Sequence, residues 1–270
     1  MLGAAGSGHP GGSLSAADIV TALYFHLMRH DPKDPHWEDR DRFVLSKGHG
    51  VPVQYAAMAM SGYFPKEQLA TLRKLGSPLQ GHPDQRHLAA LEASTGSLGQ
   101  GLSIATGIAL AGMLDKKGHW TYVLMSDGEI EEGQTWEAIQ FAGFHRLDHL
   151  IAIVDYNGFQ LDGAVKQISD LDPLADKWKA FHWHVQEIDG HSIPEIVRAI
   201  EQAKAAPGKP HVIIARTTKG KGVSFMEGNN YFHGVTPTAD ETAAALAELD
   251  GDPSLSKALV AAGKIKTGAK

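Results

Sequence analysis

Short apolar runs rich in β-branched residues alternate along the chain with stretches of helical periodicity. Phe43–Leu45, Tyr122–Met125, Leu150–Val154, Val185–Ile188 and Val212–Ala215 predict strands. Their near-continuous apolar character is that of strands covered on both faces. Between them, Ala16–Met28 behind a Ser15 cap, Pro52–Met60, Gly101–Leu114, Thr135–Phe144 and Ile193–Ala205 predict helices. Alternating strands and helices imply an α/β fold, a parallel sheet flanked by helices on both faces. Thr238-Ala-Asp-Glu241 reads as a capping box ahead of an Ala-rich helix. The pattern predicts one domain over 1–250 and a loosely held, Lys-bearing tail over 251–270, with no internal repeat or linker.

In open α/β sheets, ligands bind beyond the carboxyl ends of the strands. Ser46-Lys-Gly-His-Gly50, Ser126-Asp-Gly-Glu129 and Asp155-Tyr-Asn-Gly-Phe159 follow the first three strands, so all fall on one sheet edge. Histidines also sit in Gly/Pro contexts at His9, His49, His82, His191 and His233, on loops expected to converge on a polar ligand.

Composition narrows the class. Against 25 Lys+Arg stand 31 Asp+Glu, a net charge of −6, which argues against nucleic acid as the main partner. With no cysteine, a disulfide framework, a thiol nucleophile and Cys-based metal sites are excluded, as expected of a cytoplasmic enzyme. The first ten residues lack a basic region and an apolar core, so no signal peptide is expected. Ala93–Leu114 runs 22 residues without a charge, but its Gly, Ser and Thr content predicts a buried helix with a small-residue face rather than a membrane span.

Asp127 and Asn157, each followed by Gly, close successive strands. A carboxylate and an amide carbonyl are hard oxygen donors suited to Mg²⁺ or Ca²⁺, which would complete its shell with phosphate oxygens. A helix starting near Glu132 would aim its positive end the same way. Read alone, both dipeptides are also ordinary turns.

Seven motifs in register then resemble transketolase. They are Ser7-Gly-His-Pro-Gly-Gly12, Asp41 to Gly50, Gly81-His-Pro83, Thr95 to Gly101, Ser126 to Gly133, Asn157 to Gly163 and Phe232-His-Gly234. The resemblance covers the diphosphate-binding domain alone, as in transketolases split into N-terminal and C-terminal subunits. It implies thiamine diphosphate and a divalent cation held by Asp127, Asn157 and the Phe159 carbonyl, with Gly128 at the diphosphate. His49 and His233 would bond diphosphate oxygens or lie beside the reacting carbons. His9 and His82 would bind hydroxyls of the donor sugar. Gly96 and Leu98 would contact the aminopyrimidine, Leu161 would pack on the thiazolium, and Glu132 would lie near a subunit interface. Histidine, with an ordinary pKa of about 6.5, suits proton movement near neutrality. The implied partner is a C-terminal subunit carrying the pyrimidine domain, in an α₂β₂ assembly that acts on sugar phosphates such as xylulose 5-phosphate and ribose 5-phosphate. Alternatives are a ketol transferase for a sulfo- or branched sugar, a 1-deoxyxylulose-5-phosphate synthase-like enzyme, and a non-catalytic thiamine diphosphate module.

The chain departs from the family pattern in places. Ser126 replaces a usual Gly and Phe159 a usual Ile, and eight residues precede His9 where the family has a full helix, so the start reads as truncated. His191 reads as part of a plain turn, and His26, His30 and His145 as surface helix residues. Lys219-Gly-Lys-Gly222 reads as a basic loop without Walker spacing, and Asp172, Asp176 and Lys177 as a solvated helix face.

Overall fold

The computed structural model describes residues 1–267. In chain order, α1 (Leu2–Ala5), α2 (Pro10–Ser15) and α3 (Ala17–Ala22) precede β1 (Arg42–Leu45). Then come α4 (Val51–Ser61), α5 (Gln100–Leu114), β2 (Thr121–Ser126), α6 (Gly133–His145) and β3 (Leu150–Tyr156). After α7 (Val165–Ile168) and α8 (Leu174–Ala180) follow β4 (His184–Asp189), α9 (Ile193–Ala205), β5 (His211–Arg216), α10 (Ala239–Leu249) and α11 (Ser254–Ala261). The strands form one sheet in the order β1-β2-β3-β5-β4, parallel at every pairing. This is the α/β architecture that the alternating pattern predicts.

The period-two alternation of strand side chains divides the core in two. Phe43, Leu45, Tyr122, Leu124, Ile151, Ile153 and Ile213 pack on one face with residues of α3, α4 and α9. Val44, Val123, Met125, Ala152, Val154, Val212 and Ile214 pack on the other with α5, α6 and α8. β4 is different. As the edge strand it pairs only with β5 and is half open to solvent, so the expectation of a doubly covered strand at Val185–Ile188 fails there.

The N-terminal helix also differs from its expected form. It starts at Pro10, breaks at Ala16, resumes at Ala17 and ends in one π-helical turn, Leu23–Leu27. Pro10 at the first position presets the helical φ. Ser15 caps nothing: its Oγ donates to Asp155 Oδ2 at 2.5 Å and to the Gly12 carbonyl at 3.2 Å. His30 lies beyond the helix, half-buried, with its ring nitrogens at Tyr63 Oη (2.9 Å) and the Tyr24 carbonyl (2.7 Å). His26 and His145 are exposed, as expected.

The small-residue face of α5 permits close packing. A Cβ on Gly101 would sit 2.2 Å from Ser46 Oγ and 2.6 Å from Ser46 Cα, whereas one on Gly107 meets nothing within 4 Å. Gly101→Ala is therefore expected to destabilise the fold by about 1–3 kcal/mol through overpacking. Gly107→Ala, at a helix-interior position with open space, is expected to be neutral or mildly stabilising. Thermal melts of the two variants, run together, check the pair; equal melting temperatures would contradict it. Among the described residues, no helix is long and apolar enough to cross a membrane.

The Thr238 capping box forms as read, with Thr238 Oγ1 accepting from the Glu241 amide and Glu241 Oε2 from the Thr238 amide. Within the stretch expected to be a loose tail, Ser254–Ala261 is helical and Ile265 is buried in a third cluster with Phe225, Met226 and Phe232. Asn229 Nδ2 donates to the Lys266 carbonyl at 3.0 Å, so that stretch is anchored at Ser256, Ile265 and Lys266 while most of its described residues stay exposed; residues 268–270 lie outside the described residues.

Candidate functional site

The loops leaving β1, β2, β3 and β5 converge on a cleft of about 340 Å³ at the carboxyl edge of the sheet. Close backbone approach builds its wall. A Cβ on Gly48 would stand 2.8 Å from the Gly96 amide nitrogen, so the turn after β1 packs backbone to backbone on the segment before α5. Thr95 Oγ1 donates to the Leu45 carbonyl at 2.6 Å and fixes that contact. Gly96 has φ +135°, and a Cβ there would meet the His82 ring at 2.7 Å. Glycine is needed here on both counts.

Four histidines meet in the cleft. The His9 ring centroid lies 5.2 Å from that of His49, 6.4 Å from His82 and 5.8 Å from His233. His49 and His233 stack at 5.4 Å. Their electrostatics differ from the expectation of near-neutral titration. Burial, then the Arg73 charge, brings His9 down to about 4, and the same two causes lower His82. Burial, then Lys47, holds His49 well below its ordinary value. Burial, then Lys219, brings His233 down to about 3. At pH 7 all four are neutral imidazoles, able to accept a proton at one nitrogen and donate at the other. His9 Nδ1 is buried without a protein partner.

Beside them lies an oxygen-rich floor. Asp127 is fully buried at the start of the turn after β2. Its Oδ1 accepts from the Gly128 amide at 2.9 Å and its Oδ2 from the Gly158 amide at 2.5 Å, which joins the β2 and β3 loops. Burial, then Asp155, pushes its carboxyl up to about 7 against those two bonds. Asn157 Oδ1 accepts from the Phe159 amide at 3.1 Å, and both residues line the cleft. A buried carboxylate strained toward protonation, next to an amide oxygen and a backbone carbonyl, fits a divalent cation that completes its shell with ligand oxygens. The residues Gly96, Leu98, Gly128, Glu132 and Leu161 line the same cleft, with Glu132 at the N-terminus of α6 and Leu161 exposed. Leu98, Phe159 and Leu161 offer apolar surface to a ring, while Lys219 and the start of α6 offer positive charge to a diphosphate. The residues present therefore fit thiamine diphosphate. Ser126, the last residue of β2, has no positive φ, and its Oγ accepts from the Glu129 amide, so the loss of glycine there is tolerated.

Four charged residues in the site carry roles that their sequence context does not reveal. Lys219 is not in a solvated basic loop but buried, with Nζ 2.6 Å from His233 Nδ1 and donating to Asn230 Oδ1 at 2.7 Å. Burial lowers it to about 8, so at pH 7 it is mostly an ammonium that donates to Nδ1 and leaves the His233 proton on Nε2. Lys47 is fully buried, ion-paired to Asp155 and donating to the Gly12 carbonyl at 2.7 Å. Asp155 also accepts from Ser15 and Thr217. Glu129, also buried, accepts from Ser46, from the Gly99 amide at 2.9 Å and from the Ser126 amide at 3.3 Å, tying three loops together. The only available signal was Lys and Glu inside Gly-rich turns at strand ends.

His191 stays out of the cleft, at the end of the edge strand. Its Nδ1 lies 2.8 Å from Asp18 Oδ2 and its Nε2 accepts from the Thr218 amide at 2.8 Å, a strap between α3 and the β5 loop. Asp172 and Asp176 are exposed, as expected, while Lys177 is half-buried and donates to the Leu171 carbonyl.

Comparison with known proteins places the chain. Residues 1–261 match the family model described as transketolase, thiamine diphosphate binding domain. The 6-deoxy-6-sulfo-D-fructose transketolase subunit SqwG of Clostridium sp. (strain MSTE9) is 53% identical over 92% of this chain and 90% of its own length. An apulose-4-phosphate transketolase subunit from Phocaeicola vulgatus is 42% identical over 90% of this chain and 86% of its own. A transketolase from Pichia stipitis, crystallised with sedoheptulose 7-phosphate, superposes with a TM-score of 0.88 at 36% identity, over 93% of this chain but 38% of that one.

Proposed function

The chain belongs to the transketolase family and carries its thiamine diphosphate binding domain, and from that premise we propose that it is the N-terminal subunit of a two-subunit transketolase. Two of its relatives are named as transketolase subunits and are matched over most of their length. The C-terminal partner would supply the pyrimidine domain, including the glutamate that activates the aminopyrimidine, in an α₂β₂ complex. When bound, thiamine diphosphate supplies a carbon nucleophile that takes up a two-carbon ketol unit and passes it to an aldose.

This chain's own residues hold and orient the reactants. Asp127, Asn157 and the Phe159 carbonyl would hold the cation, and Lys219 and Gly128 would face the diphosphate. His49 would bond diphosphate oxygens or lie beside the reacting carbons. His233, its Nε2–H fixed by Lys219, would donate a hydrogen bond there. His9 and His82 would bind donor hydroxyls as neutral imidazoles, each able to accept at one nitrogen and donate at the other. Leu98 and Gly96 would border the aminopyrimidine, Leu161 the thiazolium, and Glu132 the interface with another subunit.

The observation that carries this reading is the meeting of four neutral histidines with Gly128, Asn157 and Phe159 in one cleft, with the buried Asp127 directly behind, holding the Gly128 and Gly158 amides. For the donor, the sequence alone ranks xylulose 5-phosphate ahead of a sulfo- or branched sugar. The similarity to SqwG moves 6-deoxy-6-sulfofructose to the head of the assay. The test is ketol transfer from each of these donors to an aldose phosphate, with thiamine diphosphate and Mg²⁺, by the chain alone and mixed with a matching C-terminal subunit. Turnover only in the mixture is expected. Turnover by the chain alone would overturn the two-subunit reading, and none in the mixture with any donor would overturn the activity.

A further inference from the structure

Arg73 stands outside the roles given so far, yet it touches the two segments that lead into His9 and His82. It is exposed, and its backbone has φ +60°, a left-handed conformation that costs a non-glycine residue about 1–2 kcal/mol. Such a residue persists where its surroundings over-determine it. Here Leu72 and Leu79 are buried on either side, and the Arg73 amide donates to the Leu79 carbonyl at 2.9 Å, closing the loop between them. The closed loop delivers the guanidinium to two other segments. Nη1 donates to Ser7 Oγ at 2.6 Å, and Nη2 to the Gly81 carbonyl at 3.4 Å. A Cβ on Gly81 would stand 2.7 Å from Arg73 Nε and 2.9 Å from Cζ, so the guanidinium lies against Gly81 in the space that a side chain there would take.

Ser7 is two residues before His9, and Gly81 directly precedes His82. We propose that Arg73 is a positioning residue for the donor sugar: its guanidinium ties the segment carrying His9 to the loop carrying His82 and so fixes the spacing of the two rings. The inference rests on the reading of His9 and His82 as hydroxyl contacts. The rest of each setting agrees with it. The His82 carbonyl accepts from Tyr55 Oη at 3.3 Å, and its ring lies against Gly96, so that loop is held from below while Arg73 holds it from outside. The Ser7–Gly8–His9 segment has Ser13 Oγ on the His9 carbonyl (2.7 Å) and Arg73 on Ser7. Two vicinal hydroxyls require two hydrogen-bonding nitrogens at a set distance, and the 6.4 Å between ring centroids is set by a bridge across two segments far apart in sequence. An arginine suits this bridge because its planar fork donates in two directions at once and stacks on a flat neighbour.

The test uses the full chain with thiamine diphosphate and Mg²⁺, and reads histidine ring signals by NMR. In Arg73→Met, the His9 and His82 signals are expected to broaden and to titrate at higher pH, while those of exposed His26 and His145 stay in place. Unchanged width and titration at His9 and His82 in a folded variant would overturn the proposal. Should Arg73→Met fail to fold, Ser7→Ala decides, since it removes one arm and keeps the charge: His9 is expected to broaden without a shift in its titration, and an unaltered His9 overturns the bridge. In the reconstituted enzyme, Arg73→Met is expected to raise KM for the donor ketose about tenfold with kcat held within about twofold; a fall in kcat at constant KM would overturn it. If the wild-type mixture turns over no ketose, the functional reading fails, and the ring signals still decide the bridge.

Discussion

Replacing Asp127 by alanine is expected to weaken cation-dependent binding of thiamine diphosphate at least about 100-fold. Asp127 is the one carboxylate in the proposed cation set, and its two oxygens also hold the Gly128 and Gly158 amides that join the β2 and β3 loops. The same residue gives the binding a pH dependence of defined sign. Without a cation, burial and Asp155 push the Asp127 carboxyl up to about 7. Above pH 7 the carboxylate is already ionised and a cation binds without displacing a proton. Below it, each pH unit costs about tenfold in affinity, because a proton must leave first. Titration calorimetry with Mg²⁺ and thiamine diphosphate from pH 6 to 8, in two buffers of different ionisation enthalpy, reads both the affinity and the released proton. Binding by Asp127→Ala equal to wild type would remove Asp127 from the cation set, and a flat pH profile would contradict its raised value.

The second large effect concerns stability. Lys47→Met is expected to cost about 3–5 kcal/mol, because Asp155 would keep a buried charge with no cation beside it. For a chain of this size that corresponds to a fall in melting temperature of roughly 10 °C. Lys47 and Asp155 are both fully buried, and the pair links the β1 loop, the end of β3 and, through the Gly12 carbonyl, the start of α2. Ser15 and Thr217 complete the shell of Asp155, so the network spans four segments that frame the cleft. The double variant Lys47→Met with Asp155→Asn is expected to recover much of the loss, since neither partner then leaves a lone charge. Thermal melts of the single and double variants decide it: a single variant as stable as wild type would show that the pair holds nothing together.

Strands and their neighbours were legible in the sequence to a residue or two, because a buried parallel strand announces itself as an apolar run. Tyr122–Met125 lies inside β2 and Val212–Ala215 inside β5. The interrupted N-terminal helix was not, since its start depends on Pro10 entering beside the cleft and its end on a wider turn, neither of which alters the apolar spacing. Of the candidate site, His9, His49, His82, His233, Asn157 and Phe159 were found from their Gly-rich contexts and from the family resemblance, and all line one cleft. His30 and His191 show the limit of such reading. Both are held at their ring nitrogens by partners distant in the chain, a fact that local context does not carry.

Periodicity, strand ends and side-chain chemistry are local properties, and they were enough to give the fold class, the sheet edge that bears the site and the kinds of group it offers. How those groups behave is set by packing. Lys219 reads as a surface cation until β5 carries it under Phe159 and against His233, and the histidines read as near-neutral titrating groups until burial and the charges of Arg73, Lys47 and Lys219 make them neutral. Desolvation and charge–charge interaction depend on distance in space, and residues 73, 9 and 82 come within reach of each other only when the loops are closed.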